Sequence, residues 1–562
     1  MAYDLLIRGG QIVDGTGRPP VAGDVAVEGG RIVAVGQADG PARRVIDAAG
    51  LAVAPGFIDH HTHMDAQIWW DPLATSCPLH GVTSIVHGNC GLTLHPCRPR
   101  DRQALASTLS RVEAISLAAL QTAVPWEWET TGDYFAALGA RPLGVNVGSL
   151  VGHCALRYYV LGEAAVEREA TEEEVEAMKA LLRASLQAGA LGFSTNQNPR
   201  HMRTDGAPVP SRLASEEEIF HLAGVVGEFP SGVVQTIKTV ATAEYIEWAG
   251  TLARYVGRPV LWQIFVHLWA YPTLWQEQMA AVEAQFARGA EAYGLANTVP
   301  LMRRYSLKNT QQFDEFPTWR EVMFLPLAER VRALGDPEVR RKLRWEVVED
   351  PSPSIAFHKR WDLVWVQDVA RPEHRALKGQ SIAAVAAAQG KDVLDAFLDL
   401  ALAEDLETHF CHSASNGDDA ATAAILCSPY ALVGESDAGA HVQFDAGFGY
   451  CTTLLGEWSR DKGIMPLETA VYKLTKQVAD LYGLDDRGVI APGKAGDLVV
   501  FDPATVRALE PERANDYPGG EPRMIQRAEG IHYTIVNGEP IVEGGQPTGA
   551  RPGQVLRGAG RL

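Results

Sequence analysis

The chain has 562 residues, of which 46% are hydrophobic, and its formal net charge at pH 7 is -19. This length exceeds one typical domain and suits a large barrel joined to a smaller module. So acidic a chain lacks the basic surface that nucleic-acid binding requires, so we expect no nucleic-acid partner.

The first residues and the cysteines indicate the cellular environment. Residues 1–10 show no basic stretch followed by an apolar run, and no apolar stretch reaches the length of a transmembrane helix. The seven cysteines show no zinc-finger pairing, and reduced thiols suit a chain of this size better than disulfides. We therefore expect a soluble, cytoplasmic protein with no membrane partner.

Both ends of the chain consist of short β-rich runs separated by glycines. Near the start, Gly9–Gly10 is predicted as one hairpin turn and Gly29–Gly30 as the next. The far end repeats this style from Gly496 onward. Because neither end offers enough strand for a stable sheet, we expect one composite β-sandwich built from residues 1–54 and 486–562.

Strand-like and helix-like segments alternate between the two ends. Eight segments have the character of core strands: Phe57–His61, Val82–His87, Val145–Leu150, Ala190–Thr195, Val233–Lys238, Val260–Phe265, Ala292–Asn297 and Ala431–Asp437. This alternation favours an α/β fold with a (β/α)8 TIM-like barrel over residues 55–485. In such barrels the chemistry takes place at the C-terminal ends of the strands.

One of the helices between these strands is clearly signalled. Thr171 and Glu174 have the spacing of a capping box, and Gly189 is the predicted stop. The apolar stripe between them consists of Val175, Met178, Leu182 and Leu186.

The stretch at about 268–425 is too long for an ordinary connection, and we predict a helical insertion over the barrel mouth. It contains Trp269, Trp275, Trp319, Trp345, Trp361 and Trp365. These tryptophans either line an apolar substrate pocket or pack the core of the insertion itself, and the sequence leaves both possibilities open.

Two histidines, His61 and His63, stand two residues apart at the end of the first predicted strand. Positions i and i+2 of a strand point the same way, so both imidazoles can face one point. Neutral imidazole is a ligand for zinc and its first-row neighbours. The alternative is that both are ordinary polar residues of a loop.

The second and third predicted strands end in further candidates. Cys90 lies in a Gly-Asn-Cys-Gly turn after the second strand, and a thiolate is a strong zinc ligand. A lone intracellular cysteine can equally be a small buried apolar residue. His153 follows the third strand and either orients a substrate or makes local hydrogen bonds.

Asp437 ends the last predicted strand, four residues before His441. A carboxylate at this position can bind a metal, accept a proton from a water molecule that the metal activates, and pass it to a leaving amine. The alternative is that Asp437 caps the N-terminus of a helix.

Five segments of the chain form a recognisable set: PGFIDHHTHMD, the Gly-Asn-Cys-Gly turn, Gly-His-x-x-Leu-Arg, ESDAGAH and RGVIAPGKAGDLVVFD. Together they resemble the amidohydrolase superfamily, and within it the N-acyl-D-amino-acid deacylase (D-aminoacylase) branch. The resemblance implies a metal-bearing barrel with a small β-sandwich. It also implies that His61 and His63 bind metal, that Cys90 bridges or ligates, and that Asp437 is the catalytic aspartate.

The activity that the resemblance implies is hydrolysis of a C–N amide bond in a small-molecule substrate, an N-acyl-D-amino acid, with one or two zinc or other divalent ions. Members of the branch often form oligomers, so a homo-oligomer is possible here. Two alternatives stay open: hydrolysis of a cyclic amide on the same barrel, as in hydantoinases, and a barrel that has lost catalysis and acts as a binding or scaffold subunit.

The chain departs from the branch at the fifth and sixth strands, which normally supply two further zinc histidines. Gln235 and Gln263 lie in the corresponding segments of this sequence. The centre is therefore either reduced to one ion or rebuilt from other residues, for which the candidates are His153, His267 and His441.

Lys238 ends the fifth predicted strand and has three possible roles. It can carry a carbamate that binds metal, pair with a substrate carboxylate, or be an ordinary loop lysine, which is the default interpretation.

Overall fold

The computed structural model describes residues 2–300, 302–308, 310, 312–354, 357–443 and 446–558. The chain divides into two compact units. The first consists of Met1–Phe265, Glu277–Val299 and Ala423–Leu562, and the second consists of Val266–Gln276 and Pro300–Thr422.

The strands in chain order are β1 Tyr3–Ile12, β2 Val21–Glu28, β3 Arg31–Gly36, β4 Ala42–Asp47, β5 Ala52–Pro55, β6 Phe57–Asp59, β7 Val82–His87, β8 Asn146–Ser149, β9 Val151–Gly152, β10 Gly192–Asn196, β11 Val233–Ile237, β12 Val260–Gln263 and β13 Ala292–Ala296. They continue with β14 Met302–Tyr305, β15 Val364–Asp368, β16 His409–Ser413, β17 Ala431–Val433, β18 Leu498–Phe501, β19 Arg507–Ala508, β20 Glu512–Ala514, β21 Arg523–Ile525, β22 Ala528–Glu529, β23 Ile531–Val536, β24 Glu539–Glu543 and β25 Gln546–Pro547.

The α-helices are α1 Arg102–Val112, α2 Leu117–Ala123, α3 Thr131–Gly139, α4 His153–Leu161, α5 Glu172–Gln187, α6 Glu216–Gly227, α7 Ala243–Val256, α8 Leu274–Ala287, α9 Pro317–Met323, α10 Leu327–Gly335, α11 Pro337–Arg344, α12 Ile382–Gln389, α13 Val393–Ala403, α14 Asp419–Cys427, α15 Tyr450–Thr453, α16 Leu467–Leu474 and α17 Lys476–Tyr482.

Parallel strands follow one another in chain order through the first unit. β6, β7 and β8 form one parallel sheet, and β9 to β13 followed by β17 form a second. Only Leu150 separates β8 from β9. Each of the eight predicted core segments overlaps one of these strands, so the strand predictions are confirmed.

Each of the eight strand segments also contributes one buried side chain to a common core cluster. The eight are Ile58, Val86, Leu150, Leu191, Val233, Leu261, Leu295 and Leu432. Val478 and Tyr482 of α17 pack into the same cluster. At the ends of the first and last strands, Thr62 pairs in parallel with Ala438.

Nine strands from both ends of the chain pair into one further sheet, in the order β25-β24-β23-β18-β5-β1-β2-β3, with β4 beside β1. β18 joins the two ends because it pairs antiparallel with β5 on one side and with β23 on the other. The core beneath this sheet combines Leu5, Val25 and Val53 with Leu498 and Ile535.

The prediction of two glycine turns near the start is half right. Gly29–Gly30 turns the chain between β2 and β3, as predicted. Gly9–Gly10 is not a turn: both residues lie within β1, whose pairing with β2 shifts between Ile7 and Gly10. Gly9 has φ +69°, so the pair forms a β-bulge rather than a reversal of the chain.

The predicted helix start and stop at α5 are confirmed. The Thr171 side chain accepts a hydrogen bond from the Glu174 N–H, and the Glu174 side chain accepts one from the Thr171 N–H. The predicted stripe is buried, and the helix ends just before Gly189, whose φ is +109°.

The second unit is not purely helical, in contrast to the prediction. β14, β16 and β15 form a three-stranded antiparallel sheet beside helices α9 to α13. Short runs such as Met302–Tyr305 are too polar and too brief to be read as strands without their partners. Trp319 and Trp361 are buried in the core of this unit, whereas Trp345 is 57% exposed. The interpretation that tryptophans pack the core of the insertion is therefore correct for Trp319 and Trp361.

No helix among the described residues is long and apolar enough to cross a membrane.

Candidate metal centre

His61 and His63 lie just past the end of β6, and both side chains are fully buried. Backbone hydrogen bonds hold this segment against the last strand segment: His61 O accepts from Asp437 N at 3.1 Å, and His63 N donates to Ala438 O at 2.7 Å. The Thr62 hydroxyl between them donates instead to Val86 O at 3.0 Å. Since the two histidines alternate with Thr62, their rings lie together, with centroids 5.5 Å apart.

The Gly-Asn-Cys-Gly turn after β7 holds Cys90 by contacts with several strands. The Asn89 amide donates to the carbonyls of Thr62 and Val86, at 3.2 and 3.1 Å. Cys90 has φ +53°, a left-handed conformation that is strained for a residue other than glycine. Gly88 is required here because a Cβ would lie 2.6 Å from Leu150 O. The turn therefore fixes the thiol beside the histidines.

Asp437 lies in the loop that follows β17, also in a left-handed conformation, with φ +56°. Such strain in a residue with a side chain is concentrated at functional sites. The Asp437 side chain is 31% exposed, whereas the His61 and His63 side chains are only 0% and 1% exposed. The carboxylate therefore lies between the buried imidazoles and a surface that water can reach.

The two histidines lie beside both a carboxylate and a thiol. Asp437 Oδ1 lies 3.6 Å from His61 Nε2 and 3.2 Å from His63 Nε2, and Cys90 Sγ lies 3.6 Å from His61 Nε2. Donor atoms arranged tetrahedrally around zinc, with bonds of about 2.0–2.3 Å, are about 3.3–3.8 Å apart. Two imidazoles, a thiol and a carboxylate are also the groups that zinc prefers. The donor atoms of His61, His63 and Cys90 all lie within 4.8 Å of one another, so their spacing and chemistry fit one divalent ion, and Asp437 lies beside both imidazoles.

Glu113 and His441 lie beside this cluster. Glu113 follows α1, and its Oε1 is 3.6 Å from Nδ1 of His63, the ring nitrogen that faces away from Asp437. His441 Nε2 is 3.9 Å from Glu113 Oε2 and 3.8 Å from Asp437 Oδ2. His441 is thus near the centre, as the sequence suggested, whereas no sequence pattern pointed to Glu113.

Burial and neighbouring charges shift the protonation of these groups. Burial lowers the pKa of His61 to about 3, so this imidazole is neutral and can offer a lone pair to a cation at neutral pH. Burial raises the pKa of the Cys90 thiol to about 12, whereas a nearby divalent cation favours the thiolate. Burial also raises the pKa of Glu113, to about 7, although His63 opposes the shift.

His63 and Asp437 influence each other strongly. Burial disfavours the charge on His63, but Glu113 and Asp437 together raise its pKa well above the usual range. Burial likewise disfavours the charge on Asp437, but the hydrogen bond and charge of His63 lower the pKa of that carboxyl. The pair therefore favours an imidazolium next to a carboxylate, a charge balance that a bound cation can replace.

His153 lies at the start of α4 and is bonded on both ring nitrogens. Nδ1 is 2.8 Å from the Thr195 hydroxyl, and Nε2 is 2.8 Å from Glu218 Oε1. Arg157 contacts both oxygens of Glu218, at 2.7 and 2.6 Å. These contacts satisfy His153 within the protein and favour a structural role over metal binding.

Two other predicted residues lie in different surroundings. The Lys238 Nζ lies 3.6 Å from the ring centroid of Trp248 on α7 and makes a cation–π contact, as an ordinary loop lysine can. His267 belongs to the second unit. Its ring meets the ring of Trp269 edge-on, and its backbone N–H donates to Asn416 Oδ1 at 3.2 Å. A role for either residue at the metal stays a prediction.

The sequence and fold match known proteins over nearly their whole length. The chain is 30% identical to an N-acyl-D-aspartate deacylase of Alcaligenes xylosoxydans xylosoxydans, over 98% of this chain and 95% of that protein. A D-aminoacylase structure described as having a binuclear metal center is 28% identical with a TM-score of 0.67, covering 99% of this chain and 100% of that one. An N-acyl-D-glutamate deacylase from Bordetella bronchiseptica, complexed with zinc and a phosphonate inhibitor, gives the same identity, TM-score and coverage. Because the profile of the Amidohydrolase family also matches residues 44–542, the chain belongs to the amidohydrolase family.

Proposed function

We propose that the protein is a zinc-dependent hydrolase of C–N amide bonds that removes the acyl group from N-acyl-D-amino acids. The observation that carries this proposal is the grouping of His61, His63 and Cys90, with Asp437 beside both histidines, at the ends of parallel strands in an amidohydrolase chain. Full-length similarity to deacylases of N-acyl-D-amino acids supports the substrate class.

In this proposal His61, His63, Cys90 and Asp437 hold the ion. When bound, a divalent ion supplies Lewis-acid chemistry, since it polarises an amide carbonyl and makes water acidic near neutral pH. The buried histidines and Cys90 fix its position and exclude bulk water from one side.

Asp437 is the proton carrier, because it is the most exposed of the four side chains. Its Oδ1 faces the histidines, whereas Oδ2 faces His441. Asp437 accepts a proton from the attacking water and delivers it to the amide nitrogen as the C–N bond breaks. The hydroxyl group remains on the acyl carbon, so the products are a carboxylic acid and a free amine.

The same proposal extends to the architecture. We propose that the eight parallel strand segments close into a (β/α)8 barrel over 55–485, with a composite β-sandwich from 1–54 and 486–562 and an insertion at about 268–425. The pairing of Thr62 with Ala438 and the core cluster with one residue from each strand support closure.

A cytoplasmic location also fits the proposal. The cysteines Cys77, Cys90, Cys97, Cys154, Cys427 and Cys451 form no disulfide bond, as expected in a reducing compartment.

The substitution Asp437→Asn tests the proton transfer. We expect turnover of an N-acyl-D-amino acid to fall by about 10²–10⁴-fold, because the amide cannot accept the proton. Zinc content should persist, since two imidazoles and a thiolate remain. Asp39→Asn, which changes an exposed aspartate far from Asp437 in the sequence, is the matched control. Turnover close to that of the control would refute the role of Asp437.

Substrate class is tested with a panel of N-acyl-D-amino acids, their L enantiomers, hydantoins and lactams, measured by release of amine or acid. We expect activity on the D series. Hydrolysis of the cyclic amides alone would instead favour a hydantoinase-like reaction, and a protein that binds no metal and is inactive on the whole panel would favour a binding or scaffold role.

A further inference from the structure

A hydrogen-bonded network of side chains runs from Cys90 through Gln235 and Gln263 to Glu435. The Cys90 N–H donates to Gln235 Oε1 at 2.7 Å, and the Cys90 thiol donates to Gln263 Oε1 at 3.3 Å. The Gln235 amide nitrogen lies 3.4 Å from Gln263 Oε1, and the Gln263 amide nitrogen donates to Glu435. Gln235 and Glu435 are buried, and the Gln263 side chain is partly buried.

The backbone N–H of Cys90 fixes which groups donate and which accept in this network. Because the Cys90 N–H can only donate, the group of Gln235 that faces it must be the amide oxygen. The Gln235 nitrogen then donates to the Gln263 oxygen, which leaves the Gln263 nitrogen to donate to the Glu435 carboxyl. Amide nitrogens have no lone pair for a metal, and both amide oxygens already accept hydrogen bonds.

Few metal-binding groups therefore remain in this network. Zinc in proteins is bound by thiolates, imidazoles and carboxylates, usually three or four of them. In this network only Cys90 and Glu435 have such groups, and Cys90 is already assigned to the ion beside His61 and His63. Glu435 Oε2 makes no hydrogen bond within the described residues, so it is one oxygen atom that could bind a metal.

We infer that the centre of this chain holds one divalent ion, and that Gln235, Gln263 and Glu435 fill with hydrogen bonds the place beside Cys90 that a second ion would need. This inference rests on the proposed function and fixes its metal count. The similar D-aminoacylase is described as having a binuclear metal center, and the residues of this chain do not fit the second of two such ions.

Metal stoichiometry of the intact chain tests the inference. The protein is stripped with a chelator, titrated with cobalt(II), whose bonds to thiolate absorb in the near ultraviolet, and in parallel loaded with zinc and dialysed for elemental analysis. We expect the cobalt signal to saturate at about one equivalent and the zinc content to be about one ion per chain. Two tightly held ions would overturn the inference but leave the proposed hydrolase intact. No bound ion would overturn both.

A double variant tests the role of the glutamines directly. Gln235→His with Gln263→His places two imidazoles beside the Cys90 sulfur, and we expect the tightly bound metal to rise from about one to about two equivalents. Gln235→Leu with Gln263→Leu is the matched control, because it removes the same hydrogen bonds and adds no ligand; it should remain at about one. A double-histidine variant that folds, as judged by circular dichroism, and still binds one ion would contradict the inference. If that variant does not fold, the titration of the unmodified chain decides.

Discussion

Glu113 lies at the proposed metal centre although nothing in its local sequence marks it. It follows α1 in an ordinary Arg-Val-Glu-Ala stretch, and only the folded chain brings its carboxylate to 3.6 Å from Nδ1 of His63. A histidine that binds a metal through one ring nitrogen commonly donates a hydrogen bond from the other to a carboxylate. Glu113 is therefore placed to orient His63 toward the proposed ion.

The substitution Glu113→Gln should weaken metal binding by about 10–100-fold, because the amide orients the imidazole less strongly than the carboxylate. Competition with a chelator of known affinity measures the change. Glu127→Gln, at an exposed glutamate in the same segment between β7 and β8, is the control and should have no effect. Equal metal affinity in the two variants would show that Glu113 does not act on the centre.

The predictable part of the site is the part that follows strand ends. His61, His63, Cys90 and Asp437 could be grouped because parallel strands bring their C-terminal ends to one edge. The same rule placed His153 with them, but the structure pairs it with Glu218, 65 positions away on α6. Residue type and position do not reveal which partner satisfies a buried imidazole.

Helix α5 shows what a purely local signal can predict. Its start is set by Thr171 and Glu174, which bond each other's backbone within four residues. The hydrogen bonds from Arg168, helped by the Thr171 N–H, lower the pKa of Glu174 from 4.5 to about 2. No distant partner is needed, so the sequence alone was sufficient.

The substitution Thr171→Ala should lower the local free energy of opening at the start of α5 by about 1 kcal/mol, because it leaves the Glu174 N–H without its acceptor. Amide hydrogen exchange in the first turn of the helix measures this. Glu173→Gln changes an exposed first-turn residue outside the capping box and serves as the control. Equal exchange rates in the two variants would show that the cap contributes nothing.

The contribution of Glu174 should depend on pH. Its pKa is lower in the folded chain than in the unfolded one, so the stabilisation is complete above about pH 4.5 and is lost as the pH falls toward 2. Glu174→Gln should therefore accelerate exchange at about pH 6, and the difference from the unmodified chain should shrink at about pH 3. A difference that grows on acidification would contradict this sign.

The two glycine pairs near the start mark the limit of local prediction. Gly9–Gly10 and Gly29–Gly30 have the same composition and similar β-rich flanks, yet one bulges within β1 and the other turns between two strands. The difference arises because β1 runs past Gly10 to pair with β5, which no hairpin pattern contains. Likewise β14 is a strand only because β16 lies beside it.

At the scale of the first unit, Asp497 ties the terminal sheet to the parallel strands. One carboxylate oxygen accepts from the Asn146 side chain of β8 at 2.9 Å and pairs with Arg487; the other accepts from Asn537 N at 2.7 Å. Asn146 Oδ1 in turn accepts from the Asn537 side chain at 3.0 Å. This network gives a physical reason for the Gly-Asp-Leu-Val sequence near the end of the chain, whose aspartate is needed by three distant segments.

The substitution Asp497→Ala should therefore destabilise the first unit as a whole. Removing the carboxylate breaks the buried pair with Arg487, whose guanidinium keeps only its contact with the more exposed Asp486. Breaking a buried pair costs at most about 3–5 kcal/mol, and Asp486 offsets part of this cost. We expect a clear decrease in the midpoint of chemical denaturation, followed by far-ultraviolet circular dichroism. Glu539→Ala removes an exposed carboxylate from β24 of the same sheet and should leave the midpoint unchanged.

Because Asp497 contacts both the sheet and β8, the loss of stability should appear in one cooperative unfolding transition of this unit. An early, separate loss of the sheet would mean that the network does not couple the two.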